Sequence, residues 1–167
     1  MEQMKFTCCF TGHRHIPREM MRNLYRELDR VLDILIRSGV TDFRTGGALG
    51  FDTLAALTVL DKRKNDPRLT LELCLPCEDQ TDGWREEDVA IYRYIRSEAD
   101  KVTVLNEKYV QGCMHQRNRY MVDGSQYCVS FCTKTRGGSA YTVDYAKKNG
   151  VKVVDLALHI KNNINND

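Results

Sequence analysis

Two glycine pairs, Gly46-Gly47 in TGGALGFD (45–52) and Gly137-Gly138 in TKTRGGS (133–139), each stand between a β-like run and a helix-like run. At a helix start the backbone N–H groups lack intrahelical partners and the dipole is positive, so bare backbone there suits a phosphate or diphosphate. Glycine is also common in tight strand-to-helix turns because it tolerates positive φ, and one such pair alone reads as a plain turn. Two pairs at equivalent places favour the anion, and Gly50 adds a third glycine to the first loop. Neither loop is a Walker A sequence, since no Gly-Lys-Ser/Thr follows, and neither matches GxGxxG. Magnesium-dependent NTP hydrolysis and an ordinary NAD site are both unsupported.

Arg14, in TGHRHIP (11–17), could fork onto phosphate oxygens, or be a plain surface arginine. Asp52 falls at a helix start, where a carboxylate cap is worth about 0.5–2 kcal/mol over Ala. Since it would repel a phosphate, any ligand partner of Asp52 is expected to be a ribose hydroxyl. Trp84, the only tryptophan, sits in the polar loop CEDQTDGWREED, where it could stack on a base or lid the core. Arg119 and Asp123 have the i,i+4 spacing of a surface ion pair. Cys74 and Cys77 form C-x-x-C, but neither opens a helix and no second ligand pair is spaced for zinc, so no metal is expected. Cys8, Cys9, Cys128 and Cys132 read as small core residues.

These residues need elements to hold them. KFTCCFTG (5–12) reads as a strand, and Met21, Leu24, Tyr25, Leu28, Val31, Leu32 and Leu35 mark a helix between Pro17 and Gly39. Strands at 41–45, 69–76, 101–105, 126–132 and 151–156 then alternate with helices at 51–64, 86–99, 112–123 and 139–149. That alternation predicts an α/β fold: a single Rossmann-like three-layer domain over 1–157, with a mainly parallel sheet of about six strands and helices on both faces. A polar C-terminal tail, 158–167, is expected to fray. LTLELCLP alternates apolar and polar residues and VKVVD carries Lys152 and Asp155, which predicts the third and sixth strands at the edges, in the order 3-2-1-4-5-6. Ligands would then sit near the switch point between strands 1 and 4, in a crevice lined by the loops after strands 1, 2, 4 and 5.

With 167 residues and 42% hydrophobic composition the chain can build one full core, and splitting it would leave each half marginal. A net charge of +2 and a pI of about 8.1 supply no sequence-wide field toward nucleic acid or an anionic membrane, so any basic site must be local. No apolar run approaches the roughly 18 residues of a membrane span, and MEQMKFTCCF lacks the core and cleavage site of a signal peptide, so a cytoplasmic protein is expected. Seven cysteines, an odd number, read as reduced thiols.

The motifs FTGHR, GGALGFDTLAA, LPCEDQTDGW, GCMHQRNRYMVDGS and RGGSAYTVDYA resemble, in order, the YpsA-like branch of the SLOG superfamily, which groups the DprA/Smf, lysine-decarboxylase-like and lonely-guy proteins. The resemblance runs from about residue 6 to 154 and implies a Rossmann-like fold with a nucleotide or nucleotide-derived ligand. It implies site roles for Thr11, Gly12, His13 and Arg14 in the first motif, and for Gln80, Asn118 and Arg119 in later ones. The lonely-guy branch is implied to hydrolyse the base–ribose bond of nucleoside monophosphates through a P-G-G-x-G-T-x-x-E run. Here the run reads R-G-G-S-A-Y-T-V-D, so Arg136 replaces the proline and the shorter Asp144 replaces the glutamate. The cradle of Gly137, Gly138, Ser139 and Thr142 survives better than the catalytic carboxylate.

Three functions follow as expectations. The first is binding or sensing of a nucleotide-like molecule, in bacterial stress, defence or cell-division control as the resemblance implies. The second is an N-glycosidic hydrolase using Asp144 or Asp52. The third is DprA-like nucleic-acid binding, against which the near-neutral charge weighs. No cofactor and no membrane partner are expected; the helix over 19–38 leaves a homo-oligomer open.

Overall fold

Six short apolar runs pair side by side in one direction. They are β1 (Phe6–Gly12), β2 (Val40–Thr45), β3 (Thr70–Leu75), β4 (Lys101–Val104), β5 (Tyr127–Phe131) and β6 (Lys152–Asp155). The computed structural model, which describes residues 5–164, orders them β4-β3-β2-β1-β5-β6, all parallel. The crossovers are α1 (Met21–Arg37), led by a 3-10 turn at Arg18–Met20, then α2 (Phe51–Arg63), α3 (Glu86–Glu98), α4 (Cys113–Asp123) and α5 (Gly138–Lys148), with α6 (Leu156–Ile164) last.

Period two in the strands sorts residues between two cores. Phe10, Phe43, Leu71, Leu73 and Phe131 face one side, where α1, α2, α3 and α6 bury Leu28, Val59, Ile95 and Ile160 against them. Cys9, Cys74 and Cys128 face the other, under Met121 and Val122 of α4 and Ala146 of α5. This is the three-layer α/β arrangement that the strand–helix alternation predicts.

The strand order differs from the expected one. β3 is an interior strand and β4 is the edge, so the strand order reverses between β1 and β5 rather than between the first and fourth strands. The polar residues of β3 misled because they are paired rather than solvated: Glu72 accepts hydrogen bonds from Tyr120 Oη and Thr103 Oγ1, each 2.7 Å, and an ion pair from Arg44 at 3.1 Å. β6 is an edge, as expected. The expected polar tail from 158 is helical as far as Ile164, since Leu156, Ala157 and Ile160 of α6 pack into the larger core. Residues 165–167 of that tail lie outside the described residues. No described helix is long and apolar enough to cross a membrane.

Candidate functional site

Because the strand order reverses between β1 and β5, the chain leaves their paired carboxyl ends toward opposite faces of the sheet, into α1 and α5, and a cleft of about 320 Å³ lies there. Thr11, Gly12, His13 and Arg14 line it from β1 and its loop, Ala48 and Asp52 from the β2–α2 connection, and Met114, Arg117 and Asn118 from α4. Lys134, Arg136, Gly137, Gly138 and Ser139 complete it from the β5–α5 loop. The expected contribution of the loop after β4 is absent from this lining, because β4 stands at the far edge of the sheet.

The two glycine pairs have different tasks. Gly137 has φ +107° at the N-cap of α5, and a Cβ added to it or to Gly138 would meet no atom within 4 Å, so this backbone faces open space. The first turn closes from Tyr141 N–H to Gly137 O, which leaves the N–H groups of residues 138–140 ahead of the ladder. Ser139 lines the cleft and makes no cap bond, while Thr142 is buried and donates to Gly138 O at 2.9 Å. Gly46 and Gly47, by contrast, are buried against protein atoms and do not line the cleft. A Cβ on Gly46 would meet Arg117 and Asp52; one on Gly47, where φ is +70°, would meet Leu73 and Leu75 at 3.0 Å. On Gly50, where φ is +76°, a Cβ would stand 2.3 Å from Arg14 O.

Arg117 is the residue that sequence reasoning passed over. It is 4% exposed, donates to Gly46 O, reaches Cys74 O at 3.4 Å and Gln80 Oε1 at 3.3 Å, and sends Nε to Asn118 Oδ1 at 2.8 Å. Burial lowers the pKa of this guanidinium, and the Asp52 charge acts the other way. The available signal was helical period: Cys113, Arg117 and Met121 are spaced by four on the inward face of α4, which puts residue 117 rather than 119 inside. Gln80 backs the same corner, donating to Gly47 O at 3.0 Å, and so supports the loop from behind instead of lining the cleft.

Asp52 is 7% exposed and does not cap α2, whose N-cap is Gly50; its Oδ2 turns back to accept Ala48 N–H at 3.2 Å. Burial raises its pKa, opposed by the charges of Arg117 and Arg14 and by the Ala48 bond. His13 ties two loops together: Thr133 N–H donates to its Nε2 at 2.8 Å, which makes Nε2 an acceptor and the ring neutral. Burial and the nearby Lys134 charge hold the His13 pKa below its usual value, against a smaller opposing pull from Asp155.

Arg14, Lys134 and Arg136 project from exposed loop positions on the cleft, and among the described residues none of the three is in an ion pair. With Arg117 they make four cations against the single carboxylate of Asp52, a local excess that the near-neutral chain conceals. Besides Gly46, Gly47 and Gln80, the expected site residues Gly50 and Thr142 are absent from the lining, and Trp84, Arg119 and Asp144 lie elsewhere. Trp84 packs edge-on against Tyr92 at 5.7 Å, beside the larger core. Arg119 does not pair with Asp123: it donates to Tyr141 Oη at 3.1 Å, and Asp123 accepts from Tyr145 Oη at 2.6 Å. Asp144 is exposed on α5, outside the cleft lining.

Comparison with known proteins agrees with this architecture. Residues 10–159 match the model of the YspA SLOG family. A UPF0398 protein of Bacillus thuringiensis (strain Al Hakam) is 28% identical over 128 residues, covering 75% of this chain and 70% of its own length. The uncharacterized SPbeta prophage-derived protein YoqJ of Bacillus subtilis (strain 168) is 25% identical over 128 residues, covering 70% of this chain and 75% of its own length. Among solved structures, DNA processing protein A (DprA) from Streptococcus pneumoniae superposes with a TM-score of 0.66 at 16% identity over 88% of this chain. This chain spans about half of that protein, 48% of its length. DNA processing protein A from Helicobacter pylori, described for its single-stranded DNA binding mode, gives a TM-score of 0.63 at 17% identity, covering 89% of this chain and 63% of its own length.

Proposed function

The chain belongs to the YspA SLOG family, and from that premise we propose that its cleft binds a nucleotide or nucleotide-derived small molecule, with the α5 start as the phosphate seat. One observation carries the reading: three unpaired cations, Arg14, Lys134 and Arg136, converge with the open backbone of Gly137 and Gly138 on one cleft at the sheet's switch point. A free helix start and arginine forks both favour phosphate oxygens, and the switch point is where open α/β sheets take ligands. Thr11, Gly12, Asn118 and Ser139 supply the remaining polar lining.

Holding is better supported than cutting. Asp52, the one carboxylate lining the cleft, is tied to Ala48 N–H beside Arg117, and Asp144 stands outside the lining. The role is therefore that of a binding or sensing module, acting in the cytoplasm, where its free cysteines stay reduced.

The test is a thermal-shift panel of AMP, ADP, ATP, cyclic nucleotides and a single-stranded oligonucleotide on wild type and Gly138→Asp. A ligand at 100 times its Kd should raise the wild-type midpoint by on the order of 5–10 °C, and the carboxylate of the variant should abolish that shift. If no nucleotide moves the wild-type midpoint the reading fails. A shift by the oligonucleotide alone, steeply weakened by salt, would put nucleic-acid binding in its place.

A further inference from the structure

A second cleft of about 320 Å³ adjoins the first. It is lined by Pro17, Met20 and Phe131 and shares His13, Arg14 and Lys134 with the first. The first is walled by α4 and α5 and is also lined by Phe10 of the larger core; the second is walled by the segment leading into α1 and by Phe131 of that same core. They meet beyond the paired ends of β1 and β5, with the neutral His13 ring, held by Thr133, between the two loops.

Resting on the nucleotide reading above, we propose that the ligand has two arms joined by a diphosphate, one arm in each cleft and the diphosphate between Arg14 and Lys134. Either cleft alone is at the small end of the roughly 300–1,000 Å³ usual for ligand pockets, enough for one arm. The second cleft offers Pro17, Met20 and Phe131, an apolar wall of no use to a phosphate but fitted to a sugar face or ring. The shared side chains are the decisive feature. Two of the three are cations without ion-pair partners among the described residues, and a diphosphate diester carries two negative charges to meet them. A single phosphate at the α5 start meets Arg14 and Lys134 from the first cleft only and leaves the second cleft, which the same two side chains line, empty.

Direct titration with AMP and with ADP-ribose, whose diphosphate carries a sugar on each side, tests this on wild type and on Met20→Trp, which fills the second cleft. ADP-ribose should bind about tenfold or more tighter than AMP, the order expected from added contacts in a pocket. Met20→Trp should erase that advantage and leave AMP affinity unchanged. His15→Trp, at an exposed position lining the same cleft, repeats the block should Met20→Trp fold poorly. Equal affinities in wild type, or blocking variants that alter neither ligand, overturn the two-armed ligand while AMP binding keeps the nucleotide reading. Binding of neither compound overturns both.

Discussion

The Arg117 guanidinium occupies the space that a side chain on Gly46 would need: a Cβ there would stand 2.7 Å from Arg117 Cζ and 2.9 Å from Asp52 Oδ2. Gly46 is thus a glycine for room, since its φ is not positive. Removing the buried guanidinium leaves the Gly46, Cys74 and Gln80 oxygens without their donor and takes a favourable charge from Asp52, so Arg117→Met should cost about 1–3 kcal/mol in denaturant unfolding. Gly46→Ala should cost about 1–3 kcal/mol by overpacking the same corner. A loss well below 1 kcal/mol for Arg117→Met would mean that Asp52, whose pKa burial already raises, is protonated and makes little demand for a cation.

Gly47 and Gly138 separate folding from binding. Gly47 has φ +70° and a Cβ added there would meet Leu73, Leu75 and Gln80, so Gly47→Asp should lower the melting midpoint whatever the protein binds. Gly138 has open space around it, and a carboxylate in the first turn of a helix is favoured by the dipole, so Gly138→Asp should leave the apo midpoint within about 2 °C. Differential scanning fluorimetry without ligand checks both. A large apo loss in Gly138→Asp would remove it as a probe of the phosphate seat and leave Arg136→Ala in its place.

Element types were legible because Leu24, Leu28 and Leu35 keep helical period and Leu71, Leu73 and Leu75 keep strand period. Strand order was not, because Glu72 on an interior strand looks the same in sequence as a solvated edge residue; its partners Arg44, Thr103 and Tyr120 come from three other elements. The same limit separated the glycine pairs. Both precede a helix, yet one is filled from behind by Arg117, 71 positions away in sequence, and the other is bare. Arg14 and Ser139 line the cleft as their loops suggested, whereas Trp84 and Arg119 belong to packing that only the tertiary structure shows.

The C-x-x-C pair is inert on this geometry. Cys74 and Cys77 are both buried; burial drives the Cys74 thiol far up, and burial with Asp79 pushes Cys77 up to about 12. Only thiolate reacts, so native protein at neutral pH should take up iodoacetamide at Cys132, the one half-exposed thiol, and there slowly. Peptide mapping by mass spectrometry checks it, and fast labelling of Cys77 without unfolding would reopen a redox role.

His13 predicts a pH dependence with a defined sign. Its Nε2 accepts Thr133 N–H at 2.8 Å, and a protonated ring would set N–H against N–H beside Lys134. The folded-state pKa is therefore below the unfolded value of roughly 6.5. The unfolded chain binds this proton more readily, so stability from His13 is fully present above about pH 6.5 and is lost as pH falls from there toward the lower folded value. Glu27, Glu72 and Glu78 also couple to pH, but their pKa values are lowered from an already acidic start, so their contribution fades only in more acid solution. Between pH 7 and about 5 the wild-type midpoint should fall, and in His13→Gln, whose amide oxygen can still accept the Thr133 N–H, the fall should be shallower. Parallel slopes for the two proteins would mean that the ring keeps its ordinary pKa and that the loop clasp opens at little cost. Since His13 lines both clefts, ligand affinity should weaken over the same pH range in wild type if the clasp shapes the site.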